Sequence, residues 1–395
     1  MPDDEPVTSA TFVMTLDMHG PYAQADTDHV PALTEPAADA PTQVQTLDTR
    51  PLDPPPFDCL LLVSFGGPEG PDDVLPFMEN VTRGRGIPAE RLTEVSRHYL
   101  EVFDGVSPIN AQARALKAAL EAELAAHGPD LPVYWGNRNW DPYLADTLAT
   151  MRADGRQHAL AVVTSAYPSY SGCRQYREDI WAARDGQGPL VAKLRHYYAE
   201  DGFVQPIARG VAEQLVGLGA GARLLFTAHS IPQSAADTSG PDGGAYVEAL
   251  RTTAAKVVAL LEAPREWELV FQSRSGPPQV PWLEPDVGDR IEQLHAEGVR
   301  EVVMVPIGFT SDHVEVLYDL DLQAQERVAT LPGMLARRSP TVGTDPQFVT
   351  MLRTLITERL SGEELPTHGC VATHDRCPAH CCQPAARPGR PTVQA

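Results

Sequence analysis

The sequence predicts an α/β protein of two similar Rossmann-like lobes, each with a parallel sheet, around a central cleft. Short continuous apolar runs recur along the chain, which is typical of strands buried on both faces. These runs are DCLLLVSFGGPEG, VYWGN (133–137), ALAVVTSAYPSY (159–170), RLLFTAHSIP (223–232), ELVFQSRSGP (268–277) and EVVMVPIGFTSDH (301–313). Helical stretches such as AQARALKAALEAELAAH (111–127) and YVEALRTTAAKVVALLEA (246–263) separate them. Alternation of strand and helix with right-handed crossovers gives parallel sheets.

Composition places the boundaries of the predicted units. Residues 1–56 contain ten acidic residues, ten prolines and a single base, so we expect a disordered leader there. The first lobe is predicted over 57–200 and the second over 201–345. A C-terminal helix over 346–365 is expected to pack back on the first lobe, and a Cys-rich tail follows over 366–395.

Length and charge exclude several classes of protein. The 395 residues allow two domains and a large core. The net charge of -22 argues against a nucleic-acid backbone as partner and suits a protein that handles cations. No apolar run reaches the roughly 18 residues of a membrane span. No secretory signal is recognisable, so we expect a cytoplasmic protein.

Polar side chains follow the predicted strands at the points where they end. The clusters are Ser64-Phe65-Gly66, Asn137-Arg138-Asn139, Thr164-Ser165, His229-Ser230, Gln272-Ser273-Arg274 and Ser311-Asp312-His313. Parallel sheets bind their ligands at the carboxyl ends of the strands, so these clusters predict an active cleft. The glycines of SFGGPEG match neither a P-loop nor a dinucleotide fingerprint, which favours a tight turn between strand and helix.

The segment SDHVEVLYDLD concentrates negative charge directly after a buried run. If a helix starts at its serine, then Asp312, Glu315 and Asp319 share one face. Asp321 joins that face only if a π-bulge turns it, and such bulges tend to occur at functional sites. Clustered carboxylates accept protons or bind hard cations. On spacing alone, a solvated acidic helix start is an equal alternative.

His229, in TAHSIP, is the candidate partner of these acids. A lone histidine is more often structural than functional. Its place at the carboxyl end of a predicted strand favours function, because histidine is a general base near neutral pH and the commonest metal ligand.

Several of these segments resemble the ferrochelatase family. The resemblance is carried by SDHVEVLYDLD after VPIGF, by TAHSIP, and by LLLVSFGGPEGPDDVLPFMENVTRGRGIP, GVSPIN, YPSYSGCRQYREDI and FQSRSGPPQVPWLEPD. It extends over residues 57–360 and is similar in wording to the actinobacterial coproporphyrin ferrochelatases. The resemblance implies a chelatase-like fold and a lyase of haem biosynthesis that inserts Fe(II) into coproporphyrin III.

The resemblance also implies roles for the residues of the metal site. His229 would bind iron, take a pyrrole proton, or do both. Glu315 would face it across the porphyrin plane. His313, Asp319 and Asp321 would carry protons or iron along the acidic helix.

A second set of residues is implied on the porphyrin side. Ser107 in GVSPIN and Tyr176 in GCRQY are expected to bind propionates. Arg83 and Arg85 in TRGRG would grip propionates bidentately, and a basic surface loop is the alternative for them. Phe65 stands where related firmicute enzymes carry a tyrosine, so we expect it to stack on the ring rather than to ligate iron.

Four of the six cysteines lie in the run HGCVATHDRCPAHCC. Clustered thiolates in a reducing compartment select zinc or an iron–sulfur cluster, and the interspersed histidines keep zinc open. The resemblance implies a [2Fe–2S] cluster with four thiolate ligands. Its implied ligands are Cys173, Cys370, Cys377 and one of Cys381 and Cys382.

Three alternative functions stay open. A protoporphyrin IX ferrochelatase and a cobalt chelatase would share the fold. A haem- or iron-binding module with an iron–sulfur sensor tail would not be an enzyme. The expected partners are the porphyrin substrate and transient contacts with neighbouring haem-pathway enzymes.

Overall fold

The computed structural model describes residues 57–83, 89–275, 279–362, 377–378 and 380–384. The predicted leader and most of the predicted Cys-rich tail lie outside the described residues.

Two parallel sheets of the same topology form the frame of the described chain. The first contains β1 (Cys59–Ser64), β2 (Val133–Asn137), β3 (His158–Val163) and β4 (Leu190–Lys193), in the spatial order β2-β1-β3-β4. The second contains β5 (Arg223–His229), β6 (Trp267–Gln272), β7 (Glu301–Val305) and β8 (Leu335–Arg338), in the order β6-β5-β7-β8. The repeated order confirms the prediction of two similar α/β lobes.

Helices connect the strands and cover both sheets. The first lobe has α1 (Pro71–Val81), α2 (Ala89–Phe103), α3 (Ile109–His127), α4 (Leu144–Ala153), a π-helical turn (Tyr170–Arg174) and α5 (Gln175–Arg184). The second has α6 (Asp201–Leu215), α7 (Gln233–Asp237), α8 (Ala245–Ala259), α9 (Val287–Ala296), α10 (Val314–Val316), a π-helical stretch (Leu317–Gln323) and α11 (Ala324–Ala329), before α12 (Pro346–Ser361). Among these described helices, none combines the length and apolar character needed to cross a bilayer.

The acidic helix begins only at Val314, and not at Ser311 as the sequence predicts. His313 stays extended and accepts the backbone N–H of Glu315 with its Nδ1 atom at 3.2 Å. It therefore acts as the N-cap residue, which has non-helical backbone angles.

The strands β4 and β8 are not predicted from the sequence. Both are edge strands of four residues, and both are only partly buried. A short edge strand with charged residues lacks the continuous apolar run that marks a central strand.

One apolar core lies between the two sheets. Leu60 and Leu62 of β1 belong to the same core as Val303 and Val305 of β7. Phe203 of α6 is fully buried in it, which contributes about 2 kcal/mol of transfer free energy. The other face of β1 packs against α4 and α5 in a smaller cluster. The shared core makes the two lobes one packed unit.

The helix α12 packs against α6 and α3. Asp345 caps it by accepting the backbone N–H of Gln347 at 2.9 Å. Arg353 of α12 donates to Glu123 of α3 at 2.9 Å. The last described helix thus lies on a helix of the first lobe.

Candidate active site

The carboxyl ends of the two sheets meet where the lobes contact each other. Thr310, after β7, donates its hydroxyl to the carbonyl oxygen of Thr164 after β3 at 3.1 Å. Tyr167 donates its hydroxyl to the carbonyl oxygen of Ile307 at 3.0 Å. Parallel sheets bind ligands at these ends, so the candidate site lies between two edges that hydrogen bonds hold together.

His229, the last residue of β5, lies beside Glu315 of α10. Its Nε2 atom is 3.8 Å from Glu315 Oε2, and the two side chains are 34% and 48% exposed. Its Nδ1 atom is 2.5 Å from the carbonyl oxygen of Ser230. Because a carbonyl oxygen can only accept, Nδ1 carries the proton, and Nε2 with its lone pair is the ring nitrogen nearer Glu315. An imidazole and a carboxylate so placed can hold a divalent transition metal or pass a proton.

The expectation that Glu315 faces His229 across a porphyrin plane stays a prediction, and the structure shows the two side chains next to each other. A flat ring needs about 3.5 Å on either face, whereas only 3.8 Å separates His229 Nε2 from Glu315 Oε2. The gap between the two side chains is therefore too narrow for a ring, whereas one cation can contact both.

Asp319, in the π-helical stretch, is buried next to this pair. Ser273 donates its hydroxyl to Asp319 Oδ2, and Gln272 donates an Nε2 hydrogen to the same oxygen at 3.2 Å. Burial raises the pKa of Asp319 to about 7. The charge of Glu315 raises it as well, whereas the hydrogen bond from Ser273 lowers it. A carboxyl group with a pKa near neutrality can accept and release a proton at physiological pH.

Ser273 itself has an unusual backbone conformation. Its φ of 59° lies in the left-handed region, which few residues other than glycine adopt. Such strain persists where the surrounding structure requires it, often at a functional site. Here the conformation accompanies the hydrogen bond from the Ser273 hydroxyl to Asp319.

The other two carboxylates of the acidic segment bind Arg338 of β8. Arg338 Nε donates to Asp321 Oδ1 at 2.6 Å, and Nη1 donates to Asp312 Oδ1 at 3.0 Å. The prediction that Asp312 shares a helix face with Glu315 is wrong, because the helix begins only at Val314. The predicted π-helical stretch is present, and within it Arg338 binds the carboxylate of Asp321.

His313 has a structural task in addition to its predicted one. Its Nδ1 atom accepts the Glu315 N–H, and its ring lies edge-on to Phe309 with 4.9 Å between ring centroids. Burial lowers the pKa of His313, so the ring is neutral near pH 7. Because Nδ1 is an acceptor, Nε2 is the nitrogen that a proton transfer would have to use.

The residues predicted to bind porphyrin lie in the first lobe. Phe65, directly after β1, is 36% exposed, and Arg83, after α1, is exposed. Ser107 is buried before α3, and Tyr176 of α5 is buried in the smaller core cluster. Arg85 lies outside the described residues. Phe65 and Arg83 are open to a ligand, whereas Tyr176 is covered by a neighbouring side chain.

That neighbour is Arg138, directly after β2, which the sequence patterns do not single out. Its guanidinium carbon lies 4.4 Å from the ring centroid of Tyr176 and 5.9 Å from that of Phe65. Its Nε atom donates to Asp179 at 2.5 Å. Phe65, Arg138 and Tyr176 therefore stack. The sequence feature that could have identified Arg138 is its position in the polar cluster that follows β2.

Tyr99 of α2 is a second residue that the sequence patterns do not identify. Its ring centroid lies 6.3 Å from that of Phe77, which lies 6.4 Å from that of Phe65. Burial raises the pKa of Tyr99, and the charges of Glu315 and Asp319 raise it further. The phenol therefore lies near the acids and stays protonated. Its spacing in α2 is that of an ordinary core residue.

Four cysteines contact one another where the tail meets the lobes. Cys173 hydrogen-bonds with Cys377 and Cys382, and Cys377 with Cys381. The sulfur atoms of Cys381 and Cys382 are 3.8 Å apart. Hydrogen bonds from Cys173 and Cys381 hold the pKa of Cys377 far below its usual value. These contacts join the four thiols in a hydrogen-bonded ring. Over the described ranges no group of three His, Cys, Asp or Glu is placed to hold a metal ion. Cys370 lies outside the described residues.

The same short stretch of tail contacts both lobes. Arg174 of the first lobe donates to the carbonyl oxygen of Cys381 at 3.3 Å. The backbone N–H of Gly240 in the second lobe points at the sulfur of Cys382 at 3.1 Å. The hydroxyl of Thr238 donates to the carbonyl oxygen of Gln383 at 3.3 Å. The cysteine ring is therefore positioned as a bridge between the lobes.

Comparison with known proteins identifies the family to which this chain is similar. A model of the ferrochelatase family matches residues 58–360. The chain is 54% identical over 369 residues to the coproporphyrin III ferrochelatase of Streptomyces coelicolor, covering 87% of this chain and 97% of that protein. It is 49% identical over 355 residues to the ferrochelatase of Rhodopirellula baltica, covering 86% and 99%.

A solved structure supports the fold alone. SirB from Bacillus subtilis with Fe3+ matches with a TM-score of 0.50 at 12% identity, and covers 78% of this chain and 98% of that chain. The family match extends over most of the chain, and the relatives are about half identical to it. The chain therefore belongs to the ferrochelatase family of lyases, the enzymes that insert a metal ion into a porphyrin.

Proposed function

We propose that this chain inserts Fe(II) into coproporphyrin III. The observation that carries the proposal is the 3.8 Å contact between His229 Nε2 and Glu315 Oε2 where the ends of the two sheets meet. Imidazole suits iron as a ligand, and a carboxylate adds negative charge. A pair of protein ligands leaves coordination positions open for the porphyrin nitrogens. Iron is a substrate here, so a site that releases it is expected.

The proton path follows from the same geometry. Each pyrrole N–H proton must leave as iron enters, and the negative charge left on the macrocycle is neutralised by Fe(II). We propose that His229 Nε2 accepts such a proton when its lone pair is not on iron, and passes it to Glu315. Asp319, whose pKa burial raises to about 7, is a further acceptor next to this pair.

The porphyrin ring is proposed to lie against the first lobe. Phe65 is exposed and belongs to a stack with Arg138 and Tyr176, which supports a flat apolar ring. Arg83 is an exposed cation for a propionate, and Ser107 offers a hydroxyl. Arg85 stays a prediction from the sequence.

The choice of coproporphyrin rests on relatives and on polarity. The similar Streptomyces coelicolor and Frankia alni proteins are named coproporphyrin III ferrochelatases. Coproporphyrin carries a propionate wherever protoporphyrin carries a vinyl group, so it offers more carboxylates to arginine and hydroxyl donors.

A competition assay under anaerobic conditions tests this choice. With Fe(II) and both porphyrins present, we expect kcat/KM for coproporphyrin III to exceed that for protoporphyrin IX by about tenfold or more, because the vinyl compound leaves donors of the site without a carboxylate partner. A parallel reaction with Co(II) and sirohydrochlorin tests the cobalt-chelatase alternative. A preference for protoporphyrin, or turnover of sirohydrochlorin alone, would contradict the proposal. Binding without any turnover would favour the non-enzymatic module.

We also propose that the tail holds a [2Fe–2S] cluster. Support comes from the soft sulfur donors gathered at Cys173 and from the lowered pKa of Cys377, because thiolates are the ligands that such a cluster requires. The proposed ligands are Cys173 and Cys377, with two more from Cys370, Cys381 and Cys382. A cluster at this position would fasten the tail to both lobes, so its binding would add to folding stability.

Iron and acid-labile sulfide analysis tests the cluster proposal. Cys377→Ser is expected to lose both and to lower the melting temperature, with the chemical step unchanged. Cys59→Ala is the matched control, because Cys59 is buried in β1 and should leave the cluster in place. A colourless protein with stoichiometric zinc would contradict the proposal, as would a colour that survives Cys173→Ser.

Two further expectations are kept as proposals. The cytoplasmic location is supported by the similarity to coproporphyrin III ferrochelatases such as that of Streptomyces coelicolor. Transient contact with neighbouring haem-pathway enzymes is supported by the family alone. Cell fractionation with immunoblotting tests the first, and co-purification after crosslinking tests the second.

A further inference from the structure

The acidic segment divides into two pairs of carboxylates with different partners. Glu315 and Asp319 lie toward His229, whereas Asp312 and Asp321 bind Arg338 at 3.0 Å and 2.6 Å. The Arg338 side chain is only 15% exposed. One largely buried cation therefore occupies the two carboxylates that do not face the metal site.

Arg338 joins two points of the chain that flank Glu315 and Asp319. Asp312 lies before the helix begins, and Asp321 lies inside the π-helical stretch. A guanidinium group is planar and presents its donors in a fixed fork, so it sets the separation of the two carboxylates. Arg338 is itself fixed as the last residue of β8, which pairs with β7.

A residue of the first lobe holds the same point of the chain. Gln112 of α3 donates an Nε2 hydrogen to the carbonyl oxygen of Asp312 at 2.6 Å. Asp312 is thus held at its backbone by Gln112 and at its side chain by Arg338. The start of the acidic helix cannot shift relative to either lobe without breaking one of these contacts.

We propose that Arg338 is a positioning residue for metal insertion. It holds the segment from Asp312 to Asp321 so that Glu315 and Asp319 stay directed at His229. It also withdraws Asp312 and Asp321 from the path of iron and protons. This inference rests on the proposed iron insertion. Arg338 does not contact the reacting atoms and influences the reaction only through Asp312 and Asp321, which it binds.

The substitution Arg338→Met tests the positioning role. Methionine keeps much of the length of arginine but removes its charge and donors. We expect kcat for iron insertion to fall by about tenfold to 100-fold, because small displacements of catalytic groups have effects of this size. Porphyrin binding, measured by fluorescence quenching, should stay within about twofold of wild type. A merely structural role would not separate kcat from porphyrin affinity in this way.

Arg337→Met is the matched control for that variant. Arg337 is the preceding residue of β8, and its Nη1 atom donates to the carbonyl oxygens of Gln214 and Val216 at 2.7 Å and 2.8 Å. It does not contact the acidic segment, so kcat should stay within about twofold of wild type. Arg338→Lys should recover only part of kcat, because one ammonium group does not reproduce the fork.

A second comparison stays informative if Arg338→Met does not fold. In the double variant Asp312→Asn with Asp321→Asn, the amide oxygens still accept hydrogen bonds from Arg338. The amide groups, however, cannot take up or release a proton as a carboxylate can. We expect this variant to keep most of the wild-type kcat, whereas Asp319→Asn loses it. A double variant as impaired as Asp319→Asn would overturn the proposal, and so would Arg338→Met with wild-type kcat. Wild-type protein that inserts no iron would overturn the proposed function and this inference with it.

Discussion

Asp319 is the residue whose burial most directly sets its protonation, and therefore its chemistry. It is only 9% exposed, yet its neighbours are polar and one of them, Glu315, is acidic. Burial disfavours its charged form, while hydrogen bonds from Ser273 and Gln272 favour it. The balance gives a carboxyl group whose protonation changes near neutral pH, which suits a group that accepts protons and releases them.

The raised pKa of Asp319 predicts a pH-dependent stability. The pKa rises from 3.8 to about 7 on folding, so the folded chain binds more protons than the unfolded chain between these values. Stability from this group is present below about pH 4 and is lost as the pH rises to about 7. Asp319→Asn should therefore be more stable than wild type at pH 8, and the difference should shrink at pH 5. Thermal unfolding at both pH values checks this, and an equal difference at both would contradict it.

Substitution of Glu315 is expected to lower the activity of the enzyme rather than the stability of the fold. Its side chain is about half exposed, so replacing it by an amide costs little folding energy. Glu315→Gln should lower kcat about 100-fold, because an amide neither accepts the proton nor offers a charge to iron. Glu326→Gln is the control, because Glu326 lies on the exposed face of α11. Steady-state kinetics decide, and near-normal turnover of Glu315→Gln would remove it from the mechanism.

The acidic helix shows which elements local patterns can predict. The buried strand before it was predicted, because burial on both faces leaves a continuous apolar run. The start of the helix was misplaced, because the His313 cap is a histidine and not a common N-cap residue. The ion pairs of Arg338 were not predicted at all. They join a short polar edge strand to a distant segment, and local spacing does not record such a contact.

The helix α12 carries a testable ion pair. Arg195 is 9% exposed and binds Glu200 at 2.6 Å and Glu358 of α12 at 2.9 Å. Arg195→Met should lower the free energy of unfolding by about 3 to 5 kcal/mol, because two largely buried carboxylates lose their cation. Arg209→Met is the matched control, since the Arg209 side chain is 49% exposed at its pair with Asp345 and should cost less than about 1 kcal/mol. Denaturant unfolding measures both, and equal losses would contradict the argument.

At the scale of the whole molecule, the two lobes share one core and meet at their active edges. Fold class and the opposed strand ends could be predicted, because repeated apolar runs and polar strand ends are local patterns. The sequence analysis names His229 and Glu315 as partners, but local spacing does not predict their 3.8 Å contact, since it depends on the pairing of β5 with β7 in the second sheet. The stack of Phe65, Arg138 and Tyr176 depends in the same way on packing within the first lobe, which brings three separate segments together.

The net charge of -22 predicts opposite salt effects on the two substrates. Iron is attracted by an acidic protein, whereas a porphyrin that carries propionates is repelled by its long-range field. Raising the ionic strength from about 0.01 M to about 0.1 M shortens the Debye length from about 30 Å to about 10 Å. KM for Fe(II) should then rise and KM for coproporphyrin should fall. Steady-state kinetics at both ionic strengths check this, and a shift of both values in one direction would argue against it.

The most direct test of the metal site is anaerobic turnover of Fe(II) and coproporphyrin III by wild type and by His229→Ala, followed by the shift of the Soret band. Wild type should form the iron porphyrin. His229→Ala should still quench porphyrin fluorescence on binding but insert no iron, because the lone pair that binds iron and accepts the proton is gone. His127→Ala, an exposed histidine of α3, should behave as wild type. Near-normal iron insertion by His229→Ala would contradict the account.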